Sequence, residues 1–124
     1  MLKSKIHQAC VTDVNTSCEG GITIDERLMR EADILPYERV EVLNMDNGTR
    51  FETYAVEGEK GEVCLSGLAA KDTERGDRVL ILSYRHVEDG RTRSSRPGIV
   101  HVDEKNNIVE TRQAFKVLTL LEAE

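Results

Sequence analysis

The amino-acid sequence predicts a mainly β domain that closes into a barrel and carries one short helix. Short apolar runs rich in Val, Ile and Leu recur along the chain, and explicit turn sequences separate them. One segment shows apolar residues at a clear helical spacing. Many short strands with little helix favour a closed barrel over a layered α/β fold. Closure also removes the exposed edge strands of so small a domain.

The strands are predicted from apolar, β-branched runs of strand length. The first covers residues 1–14 and is expected to bend near Ala9 and Cys10. Later strands are predicted at residues 40–43, 51–56, 63–65, 79–82 and 99–102. Turn residues separate them, in the segments Asp46-Asn47-Gly48, Glu59-Lys60-Gly61, Arg75-Gly76-Asp77, Asp89-Gly90 and Asn106-Asn107.

The helix is predicted near residues 25–34. Asp25 is a good N-cap because its carboxylate accepts hydrogen bonds from the first, otherwise unpaired amides of a helix. Leu28, Met29 and Ala32 then fall on one face, and Pro36 bounds the segment. A second helical turn is predicted at residues 68–71. The tail, residues 111–124, is compatible with helix or strand and is expected to pack on a neighbouring subunit.

Length and composition predict a single domain over residues 1–124, because the sequence contains neither a repeat nor a linker. Hydrophobic residues make up 39% and aromatic residues only 4%, so the core is expected to consist of Val, Ile, Leu and Ala. The net charge of -6 repels phosphate backbones, which argues against a nucleic-acid partner. Neither a long apolar span nor a signal sequence is present. We therefore expect a cytoplasmic protein without a membrane partner.

Cysteine and histidine usage predicts reduced thiols and no metal site. The cysteines are odd in number and widely separated, unlike a disulfide framework. No two cysteines or histidines show the close pairing typical of zinc ligands. These residues are Cys10, Cys18, Cys64, His7, His86 and His101.

Several segments together resemble the pyruvoyl-dependent aspartate 1-decarboxylases. They are residues 1–7 (MLKSKIH), 19–25 (EGGITID), 47–54 (NGTRFETY), 67–70 (GLAA) followed by Gly76-Asp77, and 96–100 (RPGIV). Each segment alone is a weak signal. Their common order and spacing across about 110 residues make the resemblance specific.

The resemblance implies a double-psi β-barrel that assembles as a homotetramer with active sites between subunits. It also implies a cofactor made from the chain itself. In the family, a serine hydroxyl after a glycine attacks the preceding carbonyl, and the resulting ester breaks by β-elimination to leave a pyruvoyl group. The ketone forms a Schiff base with L-aspartate and accepts electrons as CO2 leaves. The product is β-alanine for pantothenate synthesis.

Four positions match residues of the family's site. Lys5 matches a lysine near the site, and Arg50 matches the arginine that grips a substrate carboxylate with its planar fork. Thr53 matches the threonine that assists chain cleavage, and Tyr54 the tyrosine that is proposed to protonate the carbanion. Each residue type is also ordinary on a half-exposed strand, as a solvated charge or a partly buried side chain.

A second group of site residues is expected around Ser66, Gly67 and Ala69, which the resemblance places at the substrate. Ser66 departs from the family, which has an asparagine there near the reacting centre. Cys18 also departs, since the family commonly has an aromatic residue at that position.

The largest departure is Gly21, which stands where the family has its pyruvoyl-forming serine. That serine oxygen is both nucleophile and leaving group, so its absence stops the acyl shift and the elimination. We therefore predict no self-processing and no pyruvoyl cofactor. Ser17, Cys18 and Thr23 carry nucleophiles nearby, with Cys18 the best candidate. A displacement of two residues moves the target bond by about 6–7 Å, so the nucleophile and the carbonyl would no longer be aligned for attack.

Three functional hypotheses follow from this pattern. The chain is an aspartate decarboxylase that uses an unusual processing event, or an unprocessed barrel that binds a small carboxylate, an amino acid or a partner protein. In the third hypothesis, a pocket that contains Lys5, Arg50 and Tyr54 catalyses a different acid–base reaction. A tetramer mixed with an intact homologue is a further expectation.

Overall fold

A computed structural model describes residues 1–15 and 20–113 of the chain. This part of the chain is built mainly from β-strands. The strands are β1 (Leu2–Cys10), β2 (Asp13–Asn15), β3 (Gly21–Asp25), β4 (Arg39–Asn44), β5 (Arg50–Gly58), β6 (Val63–Ser66), β7 (Arg78–Tyr84), β8 (Gly98–Val102) and β9 (Ile108–Gln113). Helix α1 spans Glu26–Glu31, and 3₁₀ helices span Gly67–Asp72 and Asp89–Arg91.

The strands lie in the order β2-β6-β3-β5-β4-β7-β1-β8-β9. Among the described residues, three neighbouring pairs run parallel, namely β1–β8, β2–β6 and β3–β5, and each joins strands that are distant in sequence. Buried Val, Ile, Leu and Ala side chains from both ends of this order meet in one core, from Val63 and Leu65 of β6 to Val100 of β8. The sheet therefore curls around its core.

The five strand predictions after residue 14 are confirmed, each inside a slightly longer observed strand. Strand β3 was not predicted, and β9 begins before the ambiguous tail. The prediction of one strand over residues 1–14 is wrong, since β1 ends at Cys10 and β2 begins at Asp13. The register of β1 with β7 shifts between Leu2 and Ser4 and again between Ile6 and Ala9, and Gln8, within the second shift, has a φ of +63°.

Helix α1 is capped as predicted but is shorter than predicted. The Asp25 carboxylate accepts a hydrogen bond from the Arg27 N–H at 2.8 Å. The helix ends at Glu31, not near residue 34, because Asp33 adopts a left-handed φ of +55°. The Ile34 N–H then bonds back to the Met29 carbonyl at 2.8 Å, which closes the last turn. The helical turn predicted at residues 68–71 is confirmed within Gly67–Asp72.

Asp25 also ties the start of α1 to the turn before β6. Its fully buried side chain accepts hydrogen bonds from the Gly61 N–H at 2.7 Å and from the Arg27 guanidinium at 2.6 Å. Burial alone would raise the pKa of this carboxyl group, but these hydrogen bonds outweigh it and the net pKa is lowered. This interaction holds β3, which carries Gly21, at a defined place against the core.

Residues 111–113 of the predicted tail belong to β9, so that portion is strand. Residues 114–124 lie outside the described part of the chain, and their packing on a neighbouring subunit stays a prediction. Within residues 1–15 and 20–113, α1 and the two 3₁₀ helices are all far too short to cross a bilayer.

Candidate functional site

Gly21 begins β3 and lies directly beside Tyr54. It pairs with Ser66 of β6, while its neighbour Ile22 pairs with Ala55 of β5. A Cβ atom at position 21 would lie 2.9 Å from Cε2 of Tyr54 and 3.2 Å from the Tyr54 carbonyl oxygen. Gly21 also has a φ of +96°, which L-residues adopt only with strain. The local geometry therefore accommodates glycine and disfavours a side chain.

The Tyr54 side chain covers both residues of the glycine pair. Gly20 has a φ of +132°, and a Cβ atom there would lie 3.9 Å from the Tyr54 hydroxyl. On its other side, Tyr54 contacts Tyr37, with ring centroids 6.4 Å apart. Tyr37 is exposed and has a left-handed φ of +66°, an uncommon conformation for an aromatic residue. Strained residues of this kind are frequent at functional sites.

The turn formed by Gly20 and Gly21, the glycine turn, lies beside the end of β6. That strand ends at Ser66, and the following 3₁₀ helix carries Gly67 and Ala69. Ser66 is buried and sits opposite Gly21 in the ladder. Gly67 has a φ of +72°, which allows the chain to turn sharply out of β6. Ala69 is half-buried against the core. The structure thus places Ser66 opposite Gly21, while Gly67 and Ala69 follow it in the 3₁₀ helix.

Arg50 and Tyr54 project from one face of the β4–β5 hairpin. In the register Arg39 is opposite Tyr54, Glu41 is opposite Glu52 and Leu43 is opposite Arg50. Because side chains alternate along a strand, these residues share a face. Thr53 is opposite the buried Val40 and therefore lies on the other face.

The Arg50 guanidinium is held by a buried carboxylate. Its Nε and Nη2 atoms lie 2.8 and 2.7 Å from Oε2 of Glu41, whose side chain is only 9% exposed. The Tyr84 hydroxyl donates to Oε1 of the same carboxylate at 2.8 Å. Burial, followed by the hydrogen bond to Glu41, raises the pKa of Tyr84. Glu41 therefore fixes one edge of the Arg50 fork.

A second arginine lies on the same face beside Tyr54. Arg39 forms an ion pair with Glu52, and both side chains are largely exposed. A cleft of about 380 Å³ is lined by Arg39, Glu52, Thr53 and Tyr54. An adjoining cleft of about 360 Å³ shares Arg39 and Glu52 and extends to Tyr84. The ion pair lies at the boundary of the two clefts.

Lys5 is placed on β1, where its cross-strand neighbours are Leu82 of β7 and Ile99 of β8. Strands β7 and β4 separate β1 from β5 in the sheet. The charge of Lys5 lowers the pKa of His7, second to the effect of burial. Lys5 and Gly21 therefore lie on strands that do not pair with each other.

Comparison with known proteins identifies the family. The aspartate decarboxylase family model matches residues 1–109. This chain belongs to the aspartate decarboxylase family. Proteins named aspartate 1-decarboxylase from Pelotomaculum thermopropionicum and Thermoanaerobacter pseudethanolicus are 53% and 50% identical to it. The alignments cover 91% and 88% of this chain, and 87% and 95% of the respective relatives.

A relative of the same name from Campylobacter fetus is 50% identical, with 89% of this chain and 96% of the relative aligned. The mostly β structure agrees with the double-psi β-barrel of the aspartate decarboxylase family. Both the family resemblance and the fold class inferred from the sequence are thereby confirmed.

The aspartate decarboxylase family depends on a pyruvoyl group, and position 21 of this chain does not fit that group. Gly21 has no side-chain atom from which the pyruvoyl group could be made, and the Tyr54 ring lies only 2.9 Å from the position that a Cβ atom would take. Thr23 lies within β3, paired with Cys64 and Val56, and is displaced from the turn. Ser17 and Cys18 fall in residues 16–19, outside the described part of the chain.

The predicted site residues fall into separate groups within one chain. Ser66 and Tyr54 lie beside Gly21, and Gly67, Ala69 and Thr53 are their neighbours in sequence. Arg50 lies four residues before Tyr54 on the same face of β5, and Lys5 lies on β1, which pairs with neither β3 nor β5. The roles of all these residues, including carboxylate binding by Arg50, remain predictions.

Sequence reasoning missed Glu41, Tyr84, Arg39 and Glu52. The alternation Arg39-Glu41-Leu43 and Arg50-Glu52-Tyr54, on either side of the Asp46-Asn47-Gly48 turn, contained the signal. Pairing the two strands as a hairpin would have placed these charges on one face.

Proposed function

We propose that this chain is an aspartate 1-decarboxylase homologue that stays uncleaved on its own and binds a small carboxylate or amino acid such as aspartate. The observation that carries the proposal is the Gly21 turn. It lacks the hydroxyl that family processing requires, and it holds Tyr54 against its backbone. A cytoplasmic location is part of the proposal and rests on the family alone.

The carboxylate preference is supported by the arginines of the β4–β5 face. Arg50 offers a guanidinium that Glu41 holds in one orientation, although its side chain is 70% exposed. A fixed, accessible fork loses little side-chain entropy when it binds a carboxylate. Tyr54 supplies a hydroxyl beside the glycine turn, where the ligand is proposed to lie.

The first experiment is the intact mass of the purified full-length chain, before and after incubation at raised temperature. We expect one species near 14.0 kDa. The relative from Pelotomaculum thermopropionicum, treated identically, tests whether cleavage is detectable under these conditions. Two fragments that separate near Gly20 or Ser17 would overturn the proposal.

The second experiment is calorimetric titration with L-aspartate, β-alanine and succinate, supported by thermal shift. A ligand that binds only the folded state must raise the melting temperature. Arg50→Gln is expected to weaken carboxylate binding. Arg30→Gln removes a similarly exposed arginine on α1, ion-paired with Glu26, and is expected to leave binding unchanged. If none of these compounds binds the wild-type chain, the binding role is wrong.

Decarboxylase activity itself is a second candidate, favoured by the 53% identity to a protein named aspartate 1-decarboxylase. It requires a carbonyl cofactor from an unusual cleavage or from an intact homologue in a mixed tetramer. Borohydride trapping of labelled aspartate on the purified protein tests this candidate directly. A homotetramer with sites between subunits is the assembly that we propose on family grounds.

A further inference from the structure

The cleft beside the glycine turn contains an arginine that sequence reasoning did not assign to any role. Arg39, Glu52, Thr53 and Tyr54 line this cleft of about 380 Å³. Arg39 is the direct cross-strand partner of Tyr54, whose ring covers Gly20 and Gly21. Arg39 therefore brings a positive charge next to the proposed ligand position.

The two arginines of this face differ in how readily they can exchange their partner. Glu41, the partner of Arg50, has a side chain only 9% exposed, so separating the pair would leave a buried charge unpaired. Glu52, the partner of Arg39, has a side chain that is 52% exposed and can be rehydrated as it leaves. Exposed ion pairs of this kind contribute little stability. Arg39 is thus the arginine whose partner a ligand can replace.

Glu52 is also held in an unfavourable position. It lies directly opposite Glu41 in the β4–β5 register, and like charges at directly opposed positions repel each other. Each glutamate is compensated by an arginine on the other strand. A ligand carboxylate that takes the place of Glu52 on Arg39 would let Glu52 turn towards solvent.

We propose that Arg39 binds a carboxylate of the ligand and that Glu52 is an internal competitor for the same guanidinium. The proposal rests on the proposed function, since it assumes a small carboxylate ligand in this cleft. It assigns the ligand class as dicarboxylates, with one carboxylate at Arg39. Arg50, which Glu41 holds by the Nε–Nη2 edge, remains the fixed arginine of the face.

The proposal predicts opposite effects for the two members of the ion pair. Arg39→Gln removes the cation and weakens succinate binding, by about fivefold for an exposed charge pair. Glu52→Gln removes the competitor and its negative charge, and tightens succinate binding by about threefold. Loss of strand packing would instead weaken binding in both variants. The opposite signs therefore separate a ligand contact from a structural role.

The test is calorimetric titration of the full chain with succinate, with the pair Arg75 and Asp13 as matched control. Arg75 and Asp13 are ion-paired and have side chains that are 74% and 63% exposed, close to the exposures of 75% and 52% for Arg39 and Glu52. Arg75→Gln and Asp13→Asn are expected to leave the dissociation constant unchanged. Succinamate has one carboxylate fewer, and Arg39→Gln is expected to weaken its binding less than the binding of succinate.

An unchanged dissociation constant in Arg39→Gln, or weaker binding in Glu52→Gln, would overturn the assignment. If Arg50→Gln abolishes succinate binding while Arg39→Gln has no effect, the proposed function stands and only this inference fails. If the wild-type chain binds no carboxylate, both fail.

Discussion

The substitution Gly21→Ala tests the packing of Tyr54 on the glycine turn. Gly76 provides the matched control, because its φ of +93° nearly equals the +96° of Gly21 and its Cβ atom would meet no atom within 4 Å. Both substitutions force an L-residue into a left-handed conformation. Only Gly21→Ala also drives a methyl group into Tyr54.

The magnitudes follow from these two effects. The left-handed conformation costs about 1–2 kcal/mol, and the stiffer unfolded chain of an alanine variant offsets about 0.4–1 kcal/mol of this. Gly76→Ala is therefore expected to lower the free energy of unfolding by about 1 kcal/mol. Gly21→Ala adds a Cβ atom 2.9 Å from Cε2 of Tyr54 and 3.2 Å from its carbonyl oxygen. Such overpacking adds about 1–3 kcal/mol.

The assay is urea unfolding of each variant, with comparison of midpoints at equal slope. The double variant Gly21→Ala/Tyr54→Ala removes the ring but keeps the carbonyl contact. We expect it to recover about 1 kcal/mol relative to the sum of the single variants. Equal destabilisation by Gly21→Ala and Gly76→Ala, or additivity in the double variant, would show that Tyr54 does not restrict position 21.

Three further predictions concern stability. Asp25→Ala removes the α1 cap and a buried hydrogen-bond network, and is expected to lower the free energy of unfolding by about 2–4 kcal/mol. The pKa of Asp25 in the folded state lies below the ordinary 3.8, so its contribution to wild-type stability should be complete above that pH and disappear as the pH falls through the folded pKa. Measuring unfolding across an acid pH series checks this. Burial, and after it the charge of Lys5, lowers the pKa of His7 from the ordinary 6.5. The wild-type protein should therefore lose stability as the pH decreases from 6.5 through the folded pKa. In thermal melts at a series of pH values, His7→Gln should reduce this loss. Asn106→Ala leaves the Cys10 N–H and carbonyl without their side-chain partner, and chemical denaturation should show a loss of about 1–3 kcal/mol.

Much of the fold and the family was determined by the sequence alone. Turn residues such as Asn47-Gly48 and the apolar runs between them identify most strands, because these signals act over a few neighbouring residues. The Asp25 cap is equally local. The absence of a hydroxyl at position 21 is fixed by the residue type there and does not depend on how the chain folds.

Tertiary structure decided the contacts between residues that are distant in sequence. Strand β3 escaped prediction because its stability comes from parallel pairing with β5 and antiparallel pairing with β6, not from its own pattern. The Glu41 carboxylate joins Arg50 and Tyr84 only after β4, β5 and β7 align. The position of the Tyr54 ring over Gly21 likewise depends on strand register. Register and burial are collective properties of the sheet, and for this reason a linear pattern does not reveal which arginine is fixed and which is exchangeable.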